Sequence, residues 1–69
     1  MAIRTYQGMT PQLAERVFID ASAVVIGDVQ LAADSSVWPL TVIRGDMHRI
    51  RIGARTSVQD ASVQIGRAH

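Results

Sequence analysis

Residues 17–63 read VFIDASAVVIGDVQLAADSSVWPLTVIRGDMHRIRIGARTSVQDASV, and the spacing of aliphatic residues in this stretch predicts the fold. A branched aliphatic residue recurs at every sixth position, and a mostly small or β-branched residue stands four positions after each one. The first set is Ile19, Val25, Leu31, Val37 and Ile43, and the second is Ala23, Val29, Ser35, Thr41 and Met47. An α-helix needs apolar residues about 3.6 positions apart, so this period keeps no helical face. It is typical of an all-β parallel β-helix, whose short strands stack about 4.8 Å apart.

The repeat also predicts how the chain is divided. Its phase slips by three at residues 47–51 and resumes at Ile52 and Val58. Residues 1–16 lie outside the repeat and are expected to form an irregular lead-in that covers the first coil. Residues 64–69 are expected to be a disordered or non-native tail, because Gln64 stands where an aliphatic residue is due.

Length and composition exclude several classes of protein. A chain of 69 residues buries only about 60% of the surface that its unfolded form exposes, so self-association is the expected source of further stability. It has no Cys, hence no disulfide and no thiolate zinc site. A net charge of +1 argues against nucleic acid as a partner. The longest apolar run is far shorter than the roughly 18 residues of a membrane span. Without a signal peptide at the start, we expect a cytoplasmic protein.

Four short motifs connect this stretch with a known family. They are VWP at 37–39, VIRGD at 42–46, IRIG at 50–53 and VQD at 58–60. With these motifs, residues 17–63 closely resemble the N-terminal part of γ-class carbonic anhydrases and their hexapeptide-repeat relatives. The resemblance implies a left-handed parallel β-helix, of which this chain would supply two to three coils. It also implies a homotrimer with zinc between subunits, held by two histidines of one chain and one of its neighbour.

The resemblance assigns roles to four residues. Arg44 and Asp46 fall on an interface salt bridge whose partner is Asp60, and Gln59 falls on the glutamine that hydrogen-bonds the metal-bound solvent. Ile65 stands where the first zinc-ligand histidine is due, and the other ligands lie further downstream in the family. We therefore expect a truncated relative whose parent protein hydrates carbon dioxide reversibly. This chain alone is expected to be inactive and to bind no cofactor.

The two histidines of the chain do not make a zinc site by themselves. Zinc takes three or four nitrogen, sulfur or oxygen donors, and His48 has only Asp46 close to it in the sequence. We expect His48 at an exposed corner, and His69 is the last residue, where chains usually fray. No metal ligand is therefore assigned in this chain.

Two other functions stay open. The chain could be a structural module that trimerises and binds partner chains, or part of a hexapeptide acyltransferase that uses an acyl-coenzyme A donor. The acyltransferase would need a catalytic histidine and a coenzyme pocket from later coils. In each case we expect the chain to bind itself, as a homotrimer and also end to end, because an uncapped last coil exposes unpaired backbone.

Overall fold

In the computed structural model, every regular element of the described chain is a β-strand. The structure describes residues 1–59 and 63–65, and of residues 47, 48 and 63–65 it describes the backbone alone. The strands are β1 (Ala2–Arg4), β2 (Gln12–Leu13), β3 (Phe18–Ile19), β4 (Val24–Leu31), β5 (Ser36–Val37), β6 (Val42–Ile52), β7 (Ser57–Val58) and β8 (Val63–Ile65). The predicted all-β class is confirmed. No helix in these residues is long and apolar enough to cross a membrane.

All pairs among these strands are parallel, and they form two sheets. β1, β4, β6 and β8 follow one another in the first sheet, where β2 also pairs with β4, and β3, β5 and β7 form the second. β1 pairs with β4 at an offset of 22 residues, as for Ala2 and Val24. From β2 to the bulge, Gln12 pairs with Gln30 and Phe18 with Ser36, so a residue there lies beside the one 18 positions later. This offset equals three of the six-residue units in the sequence. Each unit therefore lies against the equivalent unit three repeats further along.

The core is made of aliphatic columns at the repeated positions. Val25, Leu31, Val37 and Ile43 are at most 1% exposed, as are Ala23 and Val29 of the second set. Val25 lies in register with Ile43, and Val37 with Val58. Complete burial of such a side chain contributes about 1.5–3 kcal/mol, so the columns supply the main stabilisation of this fold.

The lead-in contributes two of the eight strands, and no motif in its sequence predicted them. β1 and β2 both pair with β4 in the parallel direction, and the segment between them leaves the sheet and returns through a two-residue turn. Tyr6 and Met9 exchange two backbone hydrogen bonds of 2.9 Å across this turn. Gln7 and Gly8 between them both have positive φ, 48° and 79°, as in type I′ turns. The Thr5 and Thr10 hydroxyls, 2.7 Å apart, close its base.

The slip in the repeat becomes a bulge between β4 and β6. Gly27 pairs with Gly45, but the next pair is Val29 with Ile50, so residues 46–49 lie opposite Asp28 alone. Beyond the bulge the pairs are 21 residues apart, as for Ser36 and Ser57. The three additional residues therefore fit between two regular stretches of pairing.

The backbones approach closely at this bulge, which explains its glycines. Gly27 has a φ of +80°, and a Cβ there would lie 2.7 Å from the Gly45 carbonyl oxygen. A Cβ on Gly45 would lie 2.5 Å from the Asp28 carbonyl oxygen, closer than real Cβ contacts allow. Arg51 also binds Asp28, because Arg51 Nη1 donates to Asp28 Oδ1 at 3.1 Å.

Substituting Gly45 by alanine tests this close approach. We expect Gly45→Ala to lower the free energy of unfolding by about 1–3 kcal/mol, since the new methyl group meets backbone that cannot move aside. Urea unfolding followed by circular dichroism at fixed chain concentration measures the change. Gly53→Ala is the matched control, because its Cβ would meet only Thr56 Oγ1, at 3.6 Å. An equal decrease in the free energy of unfolding in the two variants would show that the backbones at the bulge are not too close for a Cβ.

Candidate functional site

The structure brings together two of the residues that the sequence placed at an interface. Arg44 and Asp46 lie on β6 on either side of Gly45, and Arg44 Nη2 donates to Asp46 Oδ2 at 2.7 Å. The Arg44 side chain is 45% exposed and that of Asp46 is 16% exposed. Asp60, their expected partner, lies outside the described residues. A half-exposed pair of this kind contributes about 0–1 kcal/mol within one chain, so its position matters more than its energy.

Gln59 is held by its backbone, while its side chain is exposed. Thr41 is completely buried, and its Oγ1 donates to the Gln59 carbonyl oxygen at 2.7 Å. This bond fixes the position of the Gln59 backbone against the core. Sequence reasoning missed the role of Thr41, although a hydroxyl in a set that also contains Ala23 and Val29 was a usable signal.

The outer face of β4 and β6 is apolar where the Arg44–Asp46 pair lies. Val24, Ile26 and Val42 alternate with the completely buried residues of their strands, so their side chains are directed away from the core, yet they are half-buried. Val24 lies in register with Val42, and Ile26 with Arg44. Strands that are apolar on both sides are typical of sheets covered on both faces. We call Val24, Ile26, Val42 and Arg44 the outer β4–β6 face.

A second feature is a groove of about 510 Å³ along the β2, β4 and β6 edge. Gln12, Gln30 and Arg51 occupy successive register positions on its polar side. Gln30 Nε2 donates to Gln12 Oε1 at 3.2 Å, which ties two of these side chains together. Ala14, Ala32 and Gly53 leave space beside them. Nothing in the sequence motifs pointed to this groove.

The residues that the structure describes do not by themselves fit a zinc centre. The described part of the chain holds no group of three His, Cys, Asp or Glu side chains that could bind a metal ion. Ile65, at the position where the family resemblance places a histidine, lies in register with Arg44 and carries no donor atom. His69 and the side chain of His48 lie outside what the structure describes.

Comparison with known proteins agrees with the motifs. Protein YrdA of Escherichia coli (strain K12) is 57% identical over 61 residues, which are 88% of this chain and 33% of YrdA. The protein "Gamma carbonic anhydrase 2, mitochondrial" of Arabidopsis thaliana is 45% identical over 51 residues, 74% of this chain and 18% of that protein. The chain is a homologue of γ-class carbonic anhydrases and hexapeptide transferases. No family model matches it.

A solved structure supports the same relationship. The crystal structure of a hexapeptide transferase family protein from Anaplasma phagocytophilum superimposes with a TM-score of 0.88 at 37% identity. The match covers 90% of this chain and 37% of that protein. The chain thus spans about a third of the length of YrdA and of this hexapeptide transferase family protein.

Removing the Thr41 hydroxyl tests the anchor of Gln59. We expect Thr41→Val to lower the free energy of unfolding by about 1–3 kcal/mol, because the Gln59 carbonyl loses its donor at little change in volume. Thr41→Ser retains the hydroxyl and is the control. Amide hydrogen exchange near Gln59 should accelerate in the valine variant and much less in the serine variant. Similar exchange in both variants would show that this bond does not hold Gln59.

Proposed function

We propose that this chain forms two to three coils of a left-handed parallel β-helix, the N-terminal part of a trimeric γ-carbonic-anhydrase-like protein. The 18-residue pairing offset supports this proposal, because three six-residue units per coil return each strand to the one before it. The hexapeptide transferase structure, with its TM-score of 0.88, supports the same architecture.

The apolar character of the outer β4–β6 face is the observation that supports a trimer. Val24, Ile26 and Val42 present an aliphatic surface beside the Arg44–Asp46 pair, as at an interface with an apolar centre and a charged rim. When a neighbouring subunit packs against the outer β4–β6 face, this apolar area is removed from water. The Arg44–Asp46 pair and Asp60 then determine how the subunits are oriented, more than how tightly they bind.

The parent protein, in this proposal, hydrates carbon dioxide reversibly at a zinc site between subunits. The residues of this chain contribute Gln59, held by Thr41, and the Arg44–Asp46 pair that orients the interface. Zinc would polarise the attacking water, but it needs at least three donors in that family and this chain contains two histidines in all. These 69 residues therefore act as the scaffold of the site and are catalytically silent alone.

A hexapeptide acyltransferase is the second candidate, and the groove beside Gln12 and Gln30 favours it. Its volume of about 510 Å³ and its lining of amide, guanidinium and aliphatic side chains suit an extended ligand with amide groups, such as coenzyme A. The same residues contain no histidine that could act as the base in that reaction.

Native mass spectrometry of the purified chain distinguishes these functions. After incubation with zinc and buffer exchange, we expect a trimer without stoichiometric zinc, and carbon dioxide hydration at the uncatalysed rate. A second spectrum with coenzyme A should show no adduct. A monomer at all concentrations would contradict the proposal of a trimeric scaffold. One zinc per subunit would instead support an active enzyme, and a coenzyme A adduct would support the acyltransferase.

A charge on the outer β4–β6 face should separate the subunits. We expect Val42→Glu to weaken trimer association at least ~100-fold, because an unpaired buried charge costs about 3–5 kcal/mol. Sedimentation equilibrium measures the dissociation constant. Phe18→Glu places the same charge on the other sheet, at a side chain that is 58% exposed, and should leave the trimer intact. Equal association of both variants would exclude the outer β4–β6 face from the interface.

A further inference from the structure

Leu40 combines an exposed apolar side chain with a strained backbone. The residue is 66% exposed, more than any other large apolar residue in the described part of the chain. Its φ of +61° is one that bulky residues rarely adopt and that glycine adopts without cost. The turn by itself therefore does not require leucine. The other described residues that carry a side chain at positive φ are all polar, and they are Gln7, Arg16, Asp34 and Arg55.

Leu40 lies at the corner where the chain passes from the second sheet to the outer β4–β6 face. This corner spans residues 38–41, between β5 and β6, and contains no charged residue. Trp38, in the same corner, is 41% exposed. The repeat does not impose this apolar character, because Asp20 and Ser22, 18 positions before Trp38 and Leu40, are polar. We call Trp38 and Leu40 the apolar corner.

The apolar corner is held in place within the single chain. Leu40 N donates to Ser22 Oγ at 2.8 Å, and Trp38 N donates to the Val58 carbonyl oxygen at 2.9 Å. The indole Nε1 of Trp38 also donates to Ser36 Oγ at 3.0 Å. Apolar residues on a backbone that is already ordered lose little conformational freedom when a partner binds. The corner is therefore suited to be a contact surface.

Three-fold symmetry determines which part of each subunit meets its own copies. In a cyclic trimer, one patch of a subunit contacts a different patch of the next, and the surface between the two patches faces the axis. One patch of the proposed trimer is the outer β4–β6 face, so the axis lies next to one of the two corners that bound this face. One is the apolar corner, and the other is the bulge with Asp28, Asp46 and Arg49. At the axis every residue meets its own copies, which disfavours charges and favours apolar side chains.

We propose that the apolar corner lies at the three-fold axis, where Leu40 packs against Leu40 of the two other copies. This inference rests on the proposed trimer and specifies which part of each chain lies at its centre. It also explains a leucine at positive φ, because three leucines bury apolar surface at the axis that three glycines would not have.

The variant Leu40→Gly separates association from folding. Sedimentation equilibrium should show trimer association weakened at least ~tenfold, because three apolar side chains are lost from the contact. Urea unfolding, at a concentration where both proteins are monomeric, should show no loss of stability, since glycine adopts this φ without strain. Phe18→Ala is the matched control, because Phe18 is 58% exposed and lies on the second sheet away from this corner. It should associate like the unaltered chain.

The variant Leu40→Cys tests the position at the axis directly, since the sequence contains no other cysteine. A short thiol-specific cross-linker should join two of the three subunits of each trimer, and dilution of the trimer should not change the yield. Phe18→Cys should give no such product under the same conditions. In a chain that forms trimers, unchanged association of Leu40→Gly, an equal loss in Phe18→Ala, or no cross-link through Leu40→Cys would each overturn this inference alone. A chain that is monomeric at all concentrations would overturn the proposed trimer with it.

Discussion

Stacking of like side chains between equivalent strands is the constraint on which the rest of this structure depends. Neighbouring strands lie about 4.8 Å apart, so a side chain directed inward has room only for a partner of similar size above and below it. Leu31 lies between Leu13 and Ile52 in register, and Val37 between Ile19 and Val58. A polar residue in such a column needs a hydrogen-bond partner, which Thr41 finds in the Gln59 carbonyl.

The same spacing is repeated in the polar contacts outside the core. Among the described residues, five side-chain hydrogen bonds join four pairs of residues that are 18 positions apart, and each pair links two equivalent units. Arg16 Nε donates to Asp34 Oδ1 at 2.7 Å, and the Leu40 amide donates to Ser22 Oγ at 2.8 Å. Ser22 in turn donates to Asp20, and its amide and hydroxyl together hold the pKa of Asp20 below its usual value. Register is thus specified by the loops as well as by the columns.

The sequence predicted the parts of the fold that repeat, because a column requires the same residue type at a fixed interval. The aliphatic residues from Val25 to Ile43 and the slip of three after them correspond directly to the buried columns and the bulge. Contacts that occur once were not predictable in this way. The pairing of Asp28 with Arg51, 23 positions later, follows from the bulge and from no motif. The strands of the lead-in likewise pair only because β4 extends beside them.

The bulge explains how polar groups were added to so regular a fold. Ile50 and Ile52 resume register with Val29 and Leu31, so three additional residues leave the buried columns intact. Their insertion places Asp46 and Arg49 outside the core, where Asp46 faces Arg44 and Arg49 faces the turn of the lead-in. A substitution within a column would disturb the strands on both sides, whereas an insertion at the bulge disturbs neither. The bulge therefore accepts charged residues for the same reason as the loops that hold Arg16, Asp20 and Asp34: in both places the side chains lie outside the buried columns, so the packing is kept.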